Sequence, residues 1–187
     1  TLKMGGYTEY RTREYNTRLF IYSWKNGLPS NYRVMNVPDE LMQDKNYGED
    51  KLYLLEQVDW RNNYEGNNML GAGYAGVNLP FGKWNIYAGV RFEHSRMELI
   101  SNTQKNEKSP TSVYYTYDDF FPSLNAAYRL NEQHQFRLSY GRTVNRPEFR
   151  EVSSSVYYDF DLASNVQGNY DLKAAYIDNI DLGYEYY

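Results

Sequence analysis

The sequence predicts an all-β fold, an antiparallel up-and-down meander forming part of a transmembrane β-barrel. Three observations predict it. Apolar and polar residues alternate with period two over several segments, the connections between those segments are alternately long and short, and aromatic residues make up 18% of the chain. The 22 Tyr, 8 Phe and 3 Trp behind that figure suit a boundary between oil and water, because Tyr has an apolar body and a polar tip.

The clearest segment is Trp84 to Glu98, where Trp84, Ile86, Ala88, Val90 and Phe92 fall on one face and Asn85, Tyr87, Gly89, Arg91, Glu93 and Ser95 on the other. Its apolar face covers nine residues, about what a tilted strand needs to cross a bilayer. The pattern recurs in Phe120 to Leu130, in Phe136, Leu138 and Tyr140, and in Ile180, Leu182, Tyr184 and Tyr186. Two weaker strands, Leu2 to about Phe20 and Met69 to Phe81, bring the total to about six over residues 1–187. Gly71, Gly73 and Gly76 blur the pattern in the second of these, as Gly does where a barrel wall bends or another backbone comes close.

Only Pro80 to Lys83 and Asn131 to His134 separate two of the strand pairs, which predicts tight hairpins. The other connections, near 21–65, 100–117 and 146–174, are long. Short turns on one end and long loops on the other are the asymmetry of an outer-membrane barrel. In that orientation Phe81, Trp84, Tyr128, Phe136 and Tyr186 make a periplasmic aromatic girdle, and Tyr10, Phe92 and Phe120 an outer one. Within the first long loop, Val37-Pro38-Asp39-Glu40-Leu41-Met42 has Pro and acids where a short helix would open. A soluble β-sandwich also has period-two strands, yet long loops confined to one end are foreign to a compact sandwich.

Composition narrows the function classes. A net charge of -4, with 20 basic residues scattered among 24 acidic ones, argues against a nucleic-acid partner. Cys is absent, so no disulfide or thiolate metal site exists, and the two His, His94 and His134, lack the spacing of a metal or hydrolase motif. Gly71, Gly73 and Gly76 match a dinucleotide fingerprint only in letters, since no helix pattern follows. The sequence therefore predicts no enzyme, no cofactor and no metal centre. It has no apolar run long enough for a membrane helix and no signal peptide at its start, and its patterns begin and stop inside strands, as a fragment's would.

Three stretches then carry a family likeness: Tyr87 to Glu93, Phe121 to Tyr128, and Arg137 to Glu151 with its Asn145-Arg146-Pro147-Glu148-Phe149-Arg150 core. Together with Gly168 to Asn179 they span about half the chain in one order. In these segments the chain resembles the TonB-dependent outer-membrane receptors of Gram-negative bacteria. It departs from them at Tyr170 and Ala174, where the family often has Pro. The resemblance implies a cell outer membrane location and a barrel of about 22 strands around an amino-terminal plug. It also implies nutrient uptake driven by the TonB energy-coupling complex acting through that plug, which this chain does not include, and leaves a surface lipoprotein as a candidate partner. The alternatives are a structural or adhesive barrel without active transport, and a soluble sugar-binding β-module.

Candidate ligand contacts lie where strands meet the long loops. Tyr114, Tyr115, Tyr117 and Asp118 form an aromatic and acidic loop end, and Tyr157 and Tyr158 repeat it in the next loop. Arg146 and Glu148 offer charge to an anionic or hydrogen-bonding ligand. For the aromatics the plainer alternative is an interfacial girdle; for Arg146 and Glu148 it is a structural corner, with Pro147 ending the ladder and the charges pairing with neighbouring strands.

Overall fold

The computed structural model describes residues 1–25, 42–48 and 50–187. Its main element is a six-stranded antiparallel sheet built as a simple meander, in the order β1 (Leu2–Tyr15), β4 (Tyr64–Phe81), β5 (Trp84–Asn102), β6 (Pro110–Arg129), β7 (His134–Asn145), β10 (Ala175–Tyr186). Two hairpins ride in the long connections: β2 (Leu19–Trp24) with β3 (Leu52–Gln57), and β8 (Val156–Asp159) with β9 (Ser164–Gln167). The meander and the six strands are those the alternation predicts.

Their lengths require correction. The first strand stops at Tyr15 and not near Phe20, while the second starts at Tyr64 and not at Met69. Strands β5 and β6 pair from Trp84↔Tyr128 out to Asn102↔Pro110, so their connection is 103–109 and not 100–117. Sequence periodicity loses these extensions because past the bilayer no lipid enforces apolar residues on the outer face, and the inner face is apolar only where the chain's own loop covers it. The connections near 21–65 and 146–174 are long as expected, each with its own hairpin. The helix expected at 37–42 lies outside the described residues, Met42 apart.

The tight turns follow from local chemistry. Phe81 pairs with Trp84 across a two-residue turn whose first residue, Gly82, has φ +57°, a conformation that favours Gly. At the other turn the Asn131 side-chain oxygen accepts from the backbone N–H groups of Gln133 and His134, closing the bend.

Register then aligns the side chains into rows across the sheet. One row is Leu79, Ile86, Ala126, Leu138 and Leu182; the next is Leu2, Val77, Ala88, Leu124, Tyr140 and Ile180. Below them run Phe81, Trp84, Tyr128, Phe136 and Tyr184, with ring pairs Trp84–Tyr128 at 4.7 Å and Phe136–Tyr184 at 5.2 Å. Among the described residues nothing packs on this face: Leu182 is 82% exposed and Ile180 69%. A second sheet stacked on it, which a sandwich needs, is absent among the described residues.

The opposite face is the inner one, and it carries the only buried apolar cluster among the described residues. Tyr64, Met97, Leu99, Phe149 and Val152 form it, with Tyr15, Tyr115 and Tyr170 packed around. It lies between the far ends of β4, β5 and β6 and a strap, residues 146–172, that leaves β7 and folds back over them. Phe149 seats its ring on Gly66, where any Cβ would collide with it. Leu99, fully buried, and Leu182 therefore belong to one sheet with opposite surroundings.

Candidate functional site: the strapped external end of the inner wall

The apolar outer band ends at one level. Phe92 and Phe120 pair with rings 5.0 Å apart, and the next outward row is His94 with Asp118, 2.7 Å apart and exposed. Above that the Tyr114 hydroxyl donates to Glu98 at 2.7 Å and the Arg96 guanidinium lies over the Tyr114 ring. Charged and ionisable side chains facing outward mean water, so the bilayer boundary falls at Phe92 and Phe120. Tyr10, the third residue expected in that girdle, pairs with Met69 in the row of Arg96, two rows farther out.

On the inner wall at this level sits an ionic network. The Arg146 guanidinium donates one N–H to Glu93 on β5 and another to Asp119 on β6, both at 2.7 Å. Glu93 also accepts from Arg91 at 2.6 Å, and Asp119 accepts from the Tyr176 hydroxyl at 2.6 Å. The three side chains of the central triad are each less than a fifth exposed. Two cations face two anions, which is how a charge can be held away from water. The rings of Tyr117 and Phe121 lie under Arg146 as well.

Past Arg146 the strap is fixed by contacts of a different kind. The Ser154 hydroxyl lies 3.0 Å from the Arg61 carbonyl and 3.1 Å from the Asn102 carbonyl, and the Val156 N–H donates to the Asn62 side chain. On the return the Tyr170 hydroxyl bonds Ser101 at 2.8 Å, and the Tyr170 carbonyl accepts from Tyr115. Where a Pro would stiffen this entry to the last strand by its ring, Tyr170 holds it by two hydrogen bonds. Burial raises the pKa of the Tyr115 and Tyr64 hydroxyls, and the Arg61 side chain holds the Asp59 carboxyl below its ordinary range.

The candidate ligand residues do not converge. Tyr115, Tyr117 and Arg146 share the inner wall beneath the strap; Tyr114 and Asp118 point outward. Tyr157 is covered by the Arg150 guanidinium, and Tyr158 sits exposed on the β8–β9 hairpin, edge-on to Phe160 at 5.0 Å. Glu148 is exposed, 3.6 Å from Arg11. Arg146 pairs with neighbouring strands, the structural corner its position suggested. Sequence reasoning missed Glu93 and Asp119 as its partners. Their odd positions put them on the inner face, but register across a long connection is not readable from the chain.

Two hollows mark the inner wall. A small one of about 150 Å³ lies under the strap between Arg11, Asn68, Met97, Tyr117, Arg146 and Phe149. A wider one of about 990 Å³, lined by Lys83, Asn85, Asn125, Arg129, Gln135 and Arg137, occupies the end near the short turns. Among the described residues no group of three His, Cys, Asp or Glu could hold a metal ion.

An antiparallel sheet with one uncovered apolar face bounded by aromatic rows, and an opposite face covered at one end by the chain's own loop, defines the wall of a membrane β-barrel. The chain belongs to the outer membrane protein beta-barrel family, whose model matches residues 36–187, and it is an outer-membrane protein. No curated protein and no solved structure matches it.

Proposed function

We propose that this chain is wall and external loop of a TonB-dependent receptor that imports a large, scarce nutrient. The observation that carries the reading is the strap: the inner wall is closed over at its external end by residues 146–172, held by an ionic triad and an apolar cluster. A barrel for free diffusion keeps its lumen open, whereas an obstructed one fits uptake that spends energy to clear the way. The likeness of Arg137 to Glu151 and Gly168 to Asn179 to the receptors supports it. In this reading the strands complete a barrel of about 22, filled by a plug whose pull comes from the energy-coupling complex. The hollow near the short turns, lined by Lys83, Arg129 and Arg137 among others, would face that plug in this reading. No catalytic step and no cofactor belong to the reading, and a surface lipoprotein is its candidate lid.

The exposed apolar tip of the β8–β9 hairpin, Phe160 and Leu162, favours a second reading, an adhesive barrel without transport. One experiment separates the two. Cells carrying the full-length protein are grown on limiting iron, vitamin or glycan sources, with and without a functional energy-coupling complex. A receptor gives growth or uptake that requires both. Unchanged growth on every source after deletion of the protein, together with lost surface attachment, would favour the adhesive barrel.

A further inference from the structure

The wall of this barrel is not evenly laced. Strand β6 pairs with β5 along its whole length, Pro110 through Tyr128, yet it pairs with β7 only from Arg129↔Gln135 to Ser123↔Gly141. The next residue of β6 is Pro122, which has no N–H to donate, and the ladder with β7 ends there. Beyond it β6 runs on for a dozen residues with no β7 ladder, while β7 and β10 continue as a separate two-stranded ribbon, Arg142↔Asp178 to Asn145↔Ala175.

Side chains close the gap between the two banks. Asp119, four residues past the last rung, accepts from Arg146 at the top of β7 with one oxygen and from Tyr176 near the top of β10 with the other, at 2.7 and 2.6 Å. Its side chain is about nine-tenths buried, so both contacts are made out of bulk water, where charge-assisted hydrogen bonds are strongest. Glu93 holds Arg146 too, from β5, so this pair also crosses the seam, but Asp119 alone reaches both β7 and β10.

We propose that the β6–β7 boundary above Pro122 is a lateral seam in the barrel wall, clasped by the Asp119 carboxylate, and that the upper β7–β10 ribbon parts from β6 when the clasp is lost. Pro122 makes the seam by denying it a backbone rung. Asp119 keeps it shut. The inference does not depend on transport, since it concerns the wall alone.

The test is a distance between spin labels on the full-length protein in outer-membrane lipid, with Ser112→Cys on the free part of β6 and Ala175→Cys at the top of β10. The intact clasp is expected to give one short, narrow distance. Asp119→Asn, which weakens the ties to both β7 and β10, is expected to add a longer population, and Glu93→Gln, which weakens only the tie to Arg146, a clearly smaller one. Pro122→Val, which restores the missing donor, is expected to reduce the long population in the Asp119→Asn background. Insertion is checked by the heat-dependent gel mobility of a folded barrel. An Asp119→Asn protein that inserts and keeps the wild-type distance overturns the proposal, as does Glu93→Gln opening the wall equally. Where Asp119→Asn does not insert, Tyr176→Phe takes its place, and an unshifted distance there also overturns it.

Discussion

Leu99 and Leu182 stand on the same sheet and face opposite worlds. Leu99 lies under the strap, at 0% exposure, between Tyr64, Met97, Phe149 and Val152; Leu182 stands 82% exposed on the apolar band that faces lipid. The external half of the molecule is thus built as a water-soluble protein is, with a core, hydroxyl ties and ion pairs. The half between Trp84 and Phe92 borrows its burial from the bilayer and has no core of its own. Identical side chains therefore answer differently to the same substitution, and that difference can be pressed.

The largest effect is expected in the external half. Phe149→Ala removes the ring seated on Gly66 and should cost about 3–5 kcal/mol, the usual range for emptying a buried aromatic site. Because the loss is local, it should show as faster proteolysis of the 146–172 strap while the barrel's urea unfolding midpoint in lipid moves little. A strap as resistant as the wild type would mean that the cluster is not what holds it.

On the membrane half the expected cost depends on charge and not on volume. Ile180→Arg sits in the middle row of the lipid face and should destabilise the barrel by about 2–4 kcal/mol, read from unfolding in lipid vesicles. The same change at Tyr114, beyond the Phe92 and Phe120 boundary, should cost far less, because Tyr114 already lies against Arg96 and Glu98 in water. Equal costs at the two positions would place the boundary elsewhere.

A smaller effect follows from the hydroxyl ties. Ser154→Ala leaves the carbonyls of Arg61 and Asn102 without that partner and should loosen the strap by about 1–3 kcal/mol, seen as faster hydrogen exchange at residues 59–62 and 152–156. Exchange confined to 152–156 would show that the loops do not move as one.

The sequence made the membrane half legible because a barrel wall repeats a two-residue period that lipid enforces at every outward position from Trp84 to Phe92. The row Leu79 to Leu182 lies as the alternation required; in the row of Phe81 and Trp84 the last member is Tyr184 and not the expected Tyr186, which pairs with His134 one row beyond, because register sets which Tyr of the strand meets Phe136. The external half was hidden for the converse reason. Arg146 meets Glu93 and Asp119, 53 and 27 residues away, and Phe149 meets Gly66; such pairings are set by register across loops, and no local period records them. What Tyr114 and Tyr115 share as neighbours in sequence they lose in space, since adjacent strand residues face opposite sides.

The smallest effect concerns acid. Asp59 caps the short turn at Trp60–Asn62, accepting from the Arg61 backbone N–H at 3.2 Å and from its side chain at 3.0 and 2.8 Å. The charged carboxyl is favoured in the folded turn, chiefly by the Arg61 side chain, so its folded pKa lies below the unfolded value near ~3.9. A group shifted down contributes stability above its unfolded pKa and loses it as pH falls through the folded one. The turn, and the Ser154 contact with the Arg61 carbonyl that depends on it, should thus hold at neutral pH and weaken only below about pH 4. Pepsin, active in that range, should cut near residues 57–63 increasingly as the pH drops. Asp59→Asn cannot carry the charge, and should be cut as readily at the upper end of the range as at the lower. An acid step of equal size in both proteins would move the effect away from Asp59.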